Sequence, residues 1–390
     1  MSSANPLQAR PVPSPSGDIT AQPAADSDGT WAPRWVLPLP WLLIAAAVAL
    51  EVGTPADYSY SSLMSAAVPL AALLYRPGWT VVVGVVSVAA MVGLWLANEL
   101  GPTGDPRSGV DVGSLVLVVG LAIAFAIARA RIQRRLHQVR AVAEAAQRAL
   151  LRAVPSRLGP VRLAGFYHAA DAEALVGGDL YSAQQTSHGV RVIVGDVRGK
   201  GIGAVATVAT VLSTFREAAQ VQESLSAVAG RIERALELEV AGTGDSELFV
   251  TAALLEFPAE PGRVRMLNRG HPPVLLLGPD GAEPIEVPFG LPLGLGELAA
   301  PEAGGADGEV LRPLPAGRLL IAYSDGVTEA ANDAGLFYPL AARLTARFSG
   351  PKLPEPAEVA AFVEADVTRW APSLKDDMTT VVLYRPDAEV

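Results

Sequence analysis

The chain has no cysteine and only four histidines in 390 residues. Without cysteine there is no disulfide, no thiol nucleophile and no thiolate zinc site. The histidines show no paired spacing, so an imidazole zinc site has no basis either. Cations are also in deficit: 30 Lys and Arg against 40 Asp and Glu give a net charge of -10. That balance argues against nucleic acid as the main partner, because phosphate backbones need a clustered positive surface. Any metal must therefore be held by carboxylates and carbonyls, the hard oxygen donors suited to Mg2+ or Mn2+. What is abundant is apolar: half of the residues are hydrophobic, and the length allows about two or three domains.

Residues 1–34 are rich in Pro, Ser, Ala and Asp without a hydrophobic period and read as a disordered tail. Four apolar segments follow within residues 35–128: "WVLPLPWLLIAAAVALEVG", "YSYSSLMSAAVPLAALLY", "WTVVVGVVSVAAMVGLWLAN" and "VGSLVLVVGLAIAFAIA". Each approaches the roughly 20 residues of a bilayer-spanning helix. Pro38 and Pro40 threaten the start of the first, and Trp35, Trp41, Trp79 and Trp95 suit interfacial positions. Arg129, Arg131, Arg134, Arg135 and Arg140 follow the fourth segment, whereas the first loop carries Glu51 and Asp57 and no cation. The positive-inside rule then places both termini of a multi-pass cell-membrane protein in the cytoplasm. Residues 129–154 read as a linker helix. Its apolar positions Ile132, Leu136, Val139, Ala143, Ala146 and Leu150 make a four-three seam that suits a homodimer, or packing on the chain's own domain.

From residue 155 to 390 the pattern is soluble α+β. "VRVIVGDV" reads as a buried strand, and "GAVATVATVLSTFREAAQ" and "SLSAVAGRIERALELEV" as helices. Strands then dominate: "LFVTAALLEF", "RVRMLNRG", "PVLLLG", "RLLIAYSDG" and "TTVVLYR", with a helix over 356–369 before the last. Strand-rich halves of this kind are not doubly wound. In "VIVGDVRGKGIGAVA" a Walker loop fails on spacing and on the residue after Lys200. A dinucleotide fingerprint on Gly201, Gly203 and Ala206 is weak, with no βαβ continuation. Instead, acidic residues punctuate strand ends beside glycine or a second aspartate: Asp179, Asp196, Asp325, Asp376 and Asp377. Any one alone would serve a turn. As a set they can build an oxygen cage for two ions.

The ordered motifs "GGDLY", "GDVRGKG", "NRGHPPVLLL", "LPLGL", "YSDGVTEA" and "KDDMTTVVL" resemble those of PPM-type (2C-like) metal-dependent serine/threonine protein phosphatases, in the bacterial SpoIIE-like branch. The resemblance spans about 155–385. It implies a β-sandwich flanked by helices and a site for two Mn2+ or Mg2+ ions. Asp196 would bridge them, Val197 (through its carbonyl) and Asp179 would serve one, and Asp325 and Asp376 the other, with Asp377 the alternative to Asp376. Asp196 and Asp325 are the aspartates most directly tied to catalysis. Two ions about 4 Å apart activate a water between them and need no protein nucleophile. One departure stands out: the branch has "GGDxYD" where this chain has Ser182. His271 is expected to be structural. Arg198 and Lys200 either meet phosphate or are simply solvated. The expected substrate is a phosphoserine or phosphothreonine on a regulatory protein such as an anti-sigma-factor antagonist. A catalytically silent membrane scaffold and a hydrolase of small phosphoesters are the alternatives.

Overall fold

The computed structural model describes residues 33–54, 61–99, 107–170, 177–245, 247–296 and 308–386. Residues 1–32 of the expected 1–34 tail and the loop residues Asp57 and Asp105 lie outside the described residues. The chain forms two compact units, Met1–Leu136 and His137–Val390.

In the first unit all four apolar segments are helical: α1 (Leu39–Gly53), α2 (Ser61–Leu74), α3 (Pro77–Glu99) and α4 (Arg107–Leu150). Pro38 and Pro40 set the start of α1 rather than breaking it, since a proline in the first turn forfeits no helical hydrogen bond. Of the described helices, two are long and apolar enough to cross a membrane: α3 over Pro77–Ala97 and α4 over Val110–Leu150. At 15 and 14 residues, α1 and α2 are apolar but shorter than the usual span of about 20. Interlocking small and large side chains (Ala47, Val68, Ala72, Met91, Leu115, Ala122) form the interior. Arg129 donates to the Leu73 and Tyr75 carbonyls at the end of α2, where free carbonyls favour a cation. The fourth apolar segment and the linker are one uninterrupted helix of 44 residues.

The second unit contains two sheets. One is ordered β1 (Arg157–Leu158), β2 (Val161–His168), β12 (Met378–Tyr384), β11 (Leu319–Tyr323), β7 (Leu275–Gly278), β8 (Gly281–Pro284). The other runs β10 (Val310–Pro313), β6 (Arg263–Arg269), β5 (Val250–Phe257), β4 (Gly189–Val197), β3 (Asp179–Thr186), with β9 (Phe289–Gly290) on β6. Every pairing except β6–β9 is antiparallel. The helices are α5 (Ile202–Val221), α6 (Leu225–Thr243), α7 (Asp325–Thr328), α8 (Leu340–Phe348) and α9 (Pro356–Trp370).

Strand parity sorts the core. On β11, Leu320 and Ala322 join Val381, Leu383, Val192 and Val194 in one cluster, while Leu319, Ile321 and Tyr323 pack with Leu344, Val359 and Val363 of α8 and α9. A strand covered on both faces needs the continuous apolar run seen in "LLIAY". The sheet that holds β4 is likewise covered: fully buried Arg191 of β4 pairs with Glu256 at 2.6 Å and donates to the Ala219, Gln222 and Glu223 carbonyls where α5 ends. The result is a helix–sheet–sheet–helix sandwich, as the α+β expectation required.

Candidate metal centre

Asp179 begins β3 and stands directly opposite Asp196 near the end of β4. Opposed residues of an antiparallel pair share a face, so two carboxylates meet on one side of this sheet edge. In the other sheet, the register Tyr323↔Thr380 brings the end of β11 beside the start of β12. That register delivers Asp325, the first residue of α7, and the pair Asp376–Asp377 to one end of the sandwich. Ser324 joins the two sheets. Its hydroxyl donates to Asp179 Oδ2 at 2.7 Å and accepts from the Thr379 amide at 2.9 Å.

Glycine makes the approach possible. A Cβ at Gly178 would sit 2.2 Å from the Val197 carbonyl oxygen and 2.8 Å from Asp196 Oδ1, and one at Gly326 would sit 1.9 Å from the Asp377 carbonyl oxygen. The "GGD" and "SDG" signals are therefore conditions for two backbones to pass in contact, beyond any turn they make.

The electrostatics are those of uncompensated acids. Burial, then the carboxylates of Asp325, Asp376 and Asp377, push Asp196 up to about 8, with Lys200 pulling the other way. Burial and then Asp196 raise Asp179 well above the usual range, against the hydrogen bonds from Ser324 and Thr379. Burial and Asp376 raise Asp325. Lys200 Nζ lies 3.0 Å from Asp376 Oδ1 and donates to the Lys375 carbonyl. Arg198 is engaged elsewhere, pairing with Glu247 at 2.5 Å and lying over Phe249. Hard oxygen donors held together against their own repulsion fit a divalent cation. Among the described residues no three acidic or histidine side chains close a ligand shell by themselves. The Val197 carbonyl, beside Asp196 Oδ1 across Gly178, is the further oxygen on hand.

The family described as stage II sporulation protein E (SpoIIE) matches residues 186–386, just over half of the chain. The chain belongs to the SpoIIE family. Asp196, Asp325 and Asp376 fall inside the matched span and Asp179 precedes it. No curated protein matches the chain. Among solved structures, the SiaA-PP2C domain of Pseudomonas aeruginosa shares 17% identity, covering 66% of this chain and 99% of that one, with a TM-score of 0.52. The PP2C phosphatase domain of SpoIIE from Bacillus subtilis, with a fragment of its regulatory domain, shares 22% over 57% of this chain and 62% of that one, TM-score 0.47. The RsbU and RsbW domains of a Mycobacterium tuberculosis protein share 21% over 59% of this chain and 61% of that one, TM-score 0.45. The chain thus spans about six tenths of the length of the last two. The second unit has the mixed α/β fold of a PP2C-type domain.

Three features of this SpoIIE-family site escaped the sequence. Asp377, adjacent to Asp376, is buried and fully committed: Oδ2 accepts from the Tyr167 hydroxyl at 2.5 Å and from Gln147 Nε2 at 3.4 Å, and Oδ1 from the Ala170 amide at 2.9 Å. Gln147, on α4, is 1% exposed and also donates to the Gly177 carbonyl at 3.3 Å. The one signal for it was a polar residue in the apolar phase Ala143–Gln147–Leu150. Ser324 was visible only as part of "YSDG". Ser182 lies three residues beyond Asp179 on β3, and the pleat turns it to the opposite face. His271 is enclosed, with Nδ1 3.0 Å from Thr251 Oγ1 and its backbone tied to Asn268, a structural setting.

Proposed function

We propose that this chain is a membrane-anchored phosphatase, dependent on two Mn2+ or Mg2+ ions, that hydrolyses phosphoserine or phosphothreonine on a cytoplasmic regulatory protein. The observation that carries this reading is the facing pair Asp179 and Asp196, with Asp196 pushed up to about 8 by burial and then by the carboxylates of Asp325, Asp376 and Asp377 from the other sheet's end. Asp196 would hold both ions, with Asp179 and the Val197 carbonyl on one and Asp325 and Asp376 on the other. When bound, the ions supply activation of water and neutralisation of phosphoryl charge. The chain's own residues do the positioning. Ser324 fixes the Asp179 carboxylate, and the Asp377 network fixes the strand start that carries Asp376. Lys200, paired with Asp376, is the loop cation beside the cluster and would attract phosphoryl oxygens there; Arg198 pairs with Glu247.

The N-terminal helices would anchor the enzyme as four spans with both termini cytoplasmic, and an anti-sigma-factor antagonist is the substrate type favoured by family. The test is phosphate release from a phosphorylated regulatory protein by the full-length chain, with and without Mn2+. Turnover should require the metal and fall by orders of magnitude in Asp196→Asn, while Mn2+ no longer raises that variant's melting temperature. Metal-independent turnover, or a variant as active as the parent, would refute the two-ion assignment.

A further inference from the structure

A cavity of about 490 Å3 lies along β3, the strand at the free edge of its sheet, walled by the segment after α4 and by α5. Its polar lining comes from Arg152, Arg216, Tyr181, Ser182 and Gln184, and Val154, Val192 and Val381 supply apolar wall. Among the described residues none that lines it is acidic. Among the described residues neither arginine has a carboxylate partner; Arg216 donates only to the Leu150 carbonyl at 2.9 Å. Burial, and then the charge of Arg152, pull Arg216 below its ordinary value, so two guanidiniums share one space without a counter-charge. Gln184 also lines this space; its Oε1 accepts from Gln220.

We propose that this cavity is an anion site, separate from the metal centre, that takes a small oxyanion (carboxylate or phosphate) carried on an apolar body. Two planar guanidiniums match the oxygens of either headgroup. The volume falls within the roughly 300–1,000 Å3 of small-molecule sites. The cations beside the acidic cluster, Arg198 and Lys200, are not part of its wall. A ligand spanning Arg152 and Arg216 would tie the segment leaving α4 to α5, because Arg216 already holds the last residue of α4.

The test is calorimetric titration of the full-length protein in EDTA at fixed ionic strength, which keeps the metal centre from taking the anion. Phenyl phosphate, benzoate and neutral benzyl alcohol are the probes. At least one anion should bind saturably and the alcohol should not, and the better anion identifies the headgroup. Arg152 is exposed, so Arg152→Ala spares the fold; it should weaken binding about tenfold or more. Ser182→Asp, which puts an internal carboxylate into the cavity, should do the same. Absence of saturable anion binding, equal binding of the alcohol, or undiminished binding in either variant would overturn the site.

Discussion

At the residue scale, Asp376 and Asp377 are adjacent and chemically identical, yet their surroundings separate them. Both oxygens of Asp377 accept protein donors in a buried pocket, whereas Asp376 is exposed and touches Lys200. Asp376→Asn should therefore abolish Mn2+ binding measured by calorimetry. Asp377→Asn should keep measurable binding and lose about 1–3 kcal/mol of stability through the broken buried bonds. The opposite ranking would make Asp377 the ligand. His271 gives a pH signature. Burial lowers it from 6.5 to about 4, so between those values the unfolded chain holds the extra proton. Its contribution is complete above about 6.5 and is lost as pH falls towards 4. Urea unfolding at pH 7 and pH 5 should show the parent losing about 2 kcal/mol more than His271→Gln. Equal losses would mean that this imidazole is not held neutral.

At the element scale, α4 changes what its apolar seam can do. Ala143 is buried against Val205 of α5, Leu150 packs beside them, and Gln147 reaches Asp377. At that end of the helix the second of the two alternatives holds: it packs on the chain's own second unit. Ile132, Leu136 and Val139 remain exposed at the four-three spacing. Pairing through them would bury side chains worth about 1.5–3 kcal/mol each. Leu136→Asp should therefore abolish crosslinked dimers, whereas Ala141→Asp, on another face, should leave them intact. Dimers that survive Leu136→Asp would reduce this stretch to a spacer.

At the scale of the whole molecule, the proposed four-span topology rests on the apolar helices and the arginines after them. Export-dependent reporter fusions at Asp57 or Asp105 should be active and fusions after Arg140 silent, since the cations at 129–140 resist translocation. Activity after Arg140 would place the second unit outside the cytoplasm and remove its proposed substrate.

The sequence alone determined the elements whose signals are local. The continuous apolar runs of β4, β5 and β11, the helical periods of α5, α6 and α9, and the glycine-flanked aspartates were all readable, because strand and helix periods and close-approach glycines leave marks within a few residues. It did not disclose α8, nor the pairing of β2 with β12, which joins residues far apart in the chain. Only the tertiary structure decided which acid of the "DD" pair is exposed, that Ser324 ties one sheet to the other, and that Gln147 on the incoming helix supports the strand beside the acids. Each of these depends on which surfaces meet after the sheets stack. A side chain's partner across such an interface is set by packing, and its own neighbours in sequence carry no mark of it.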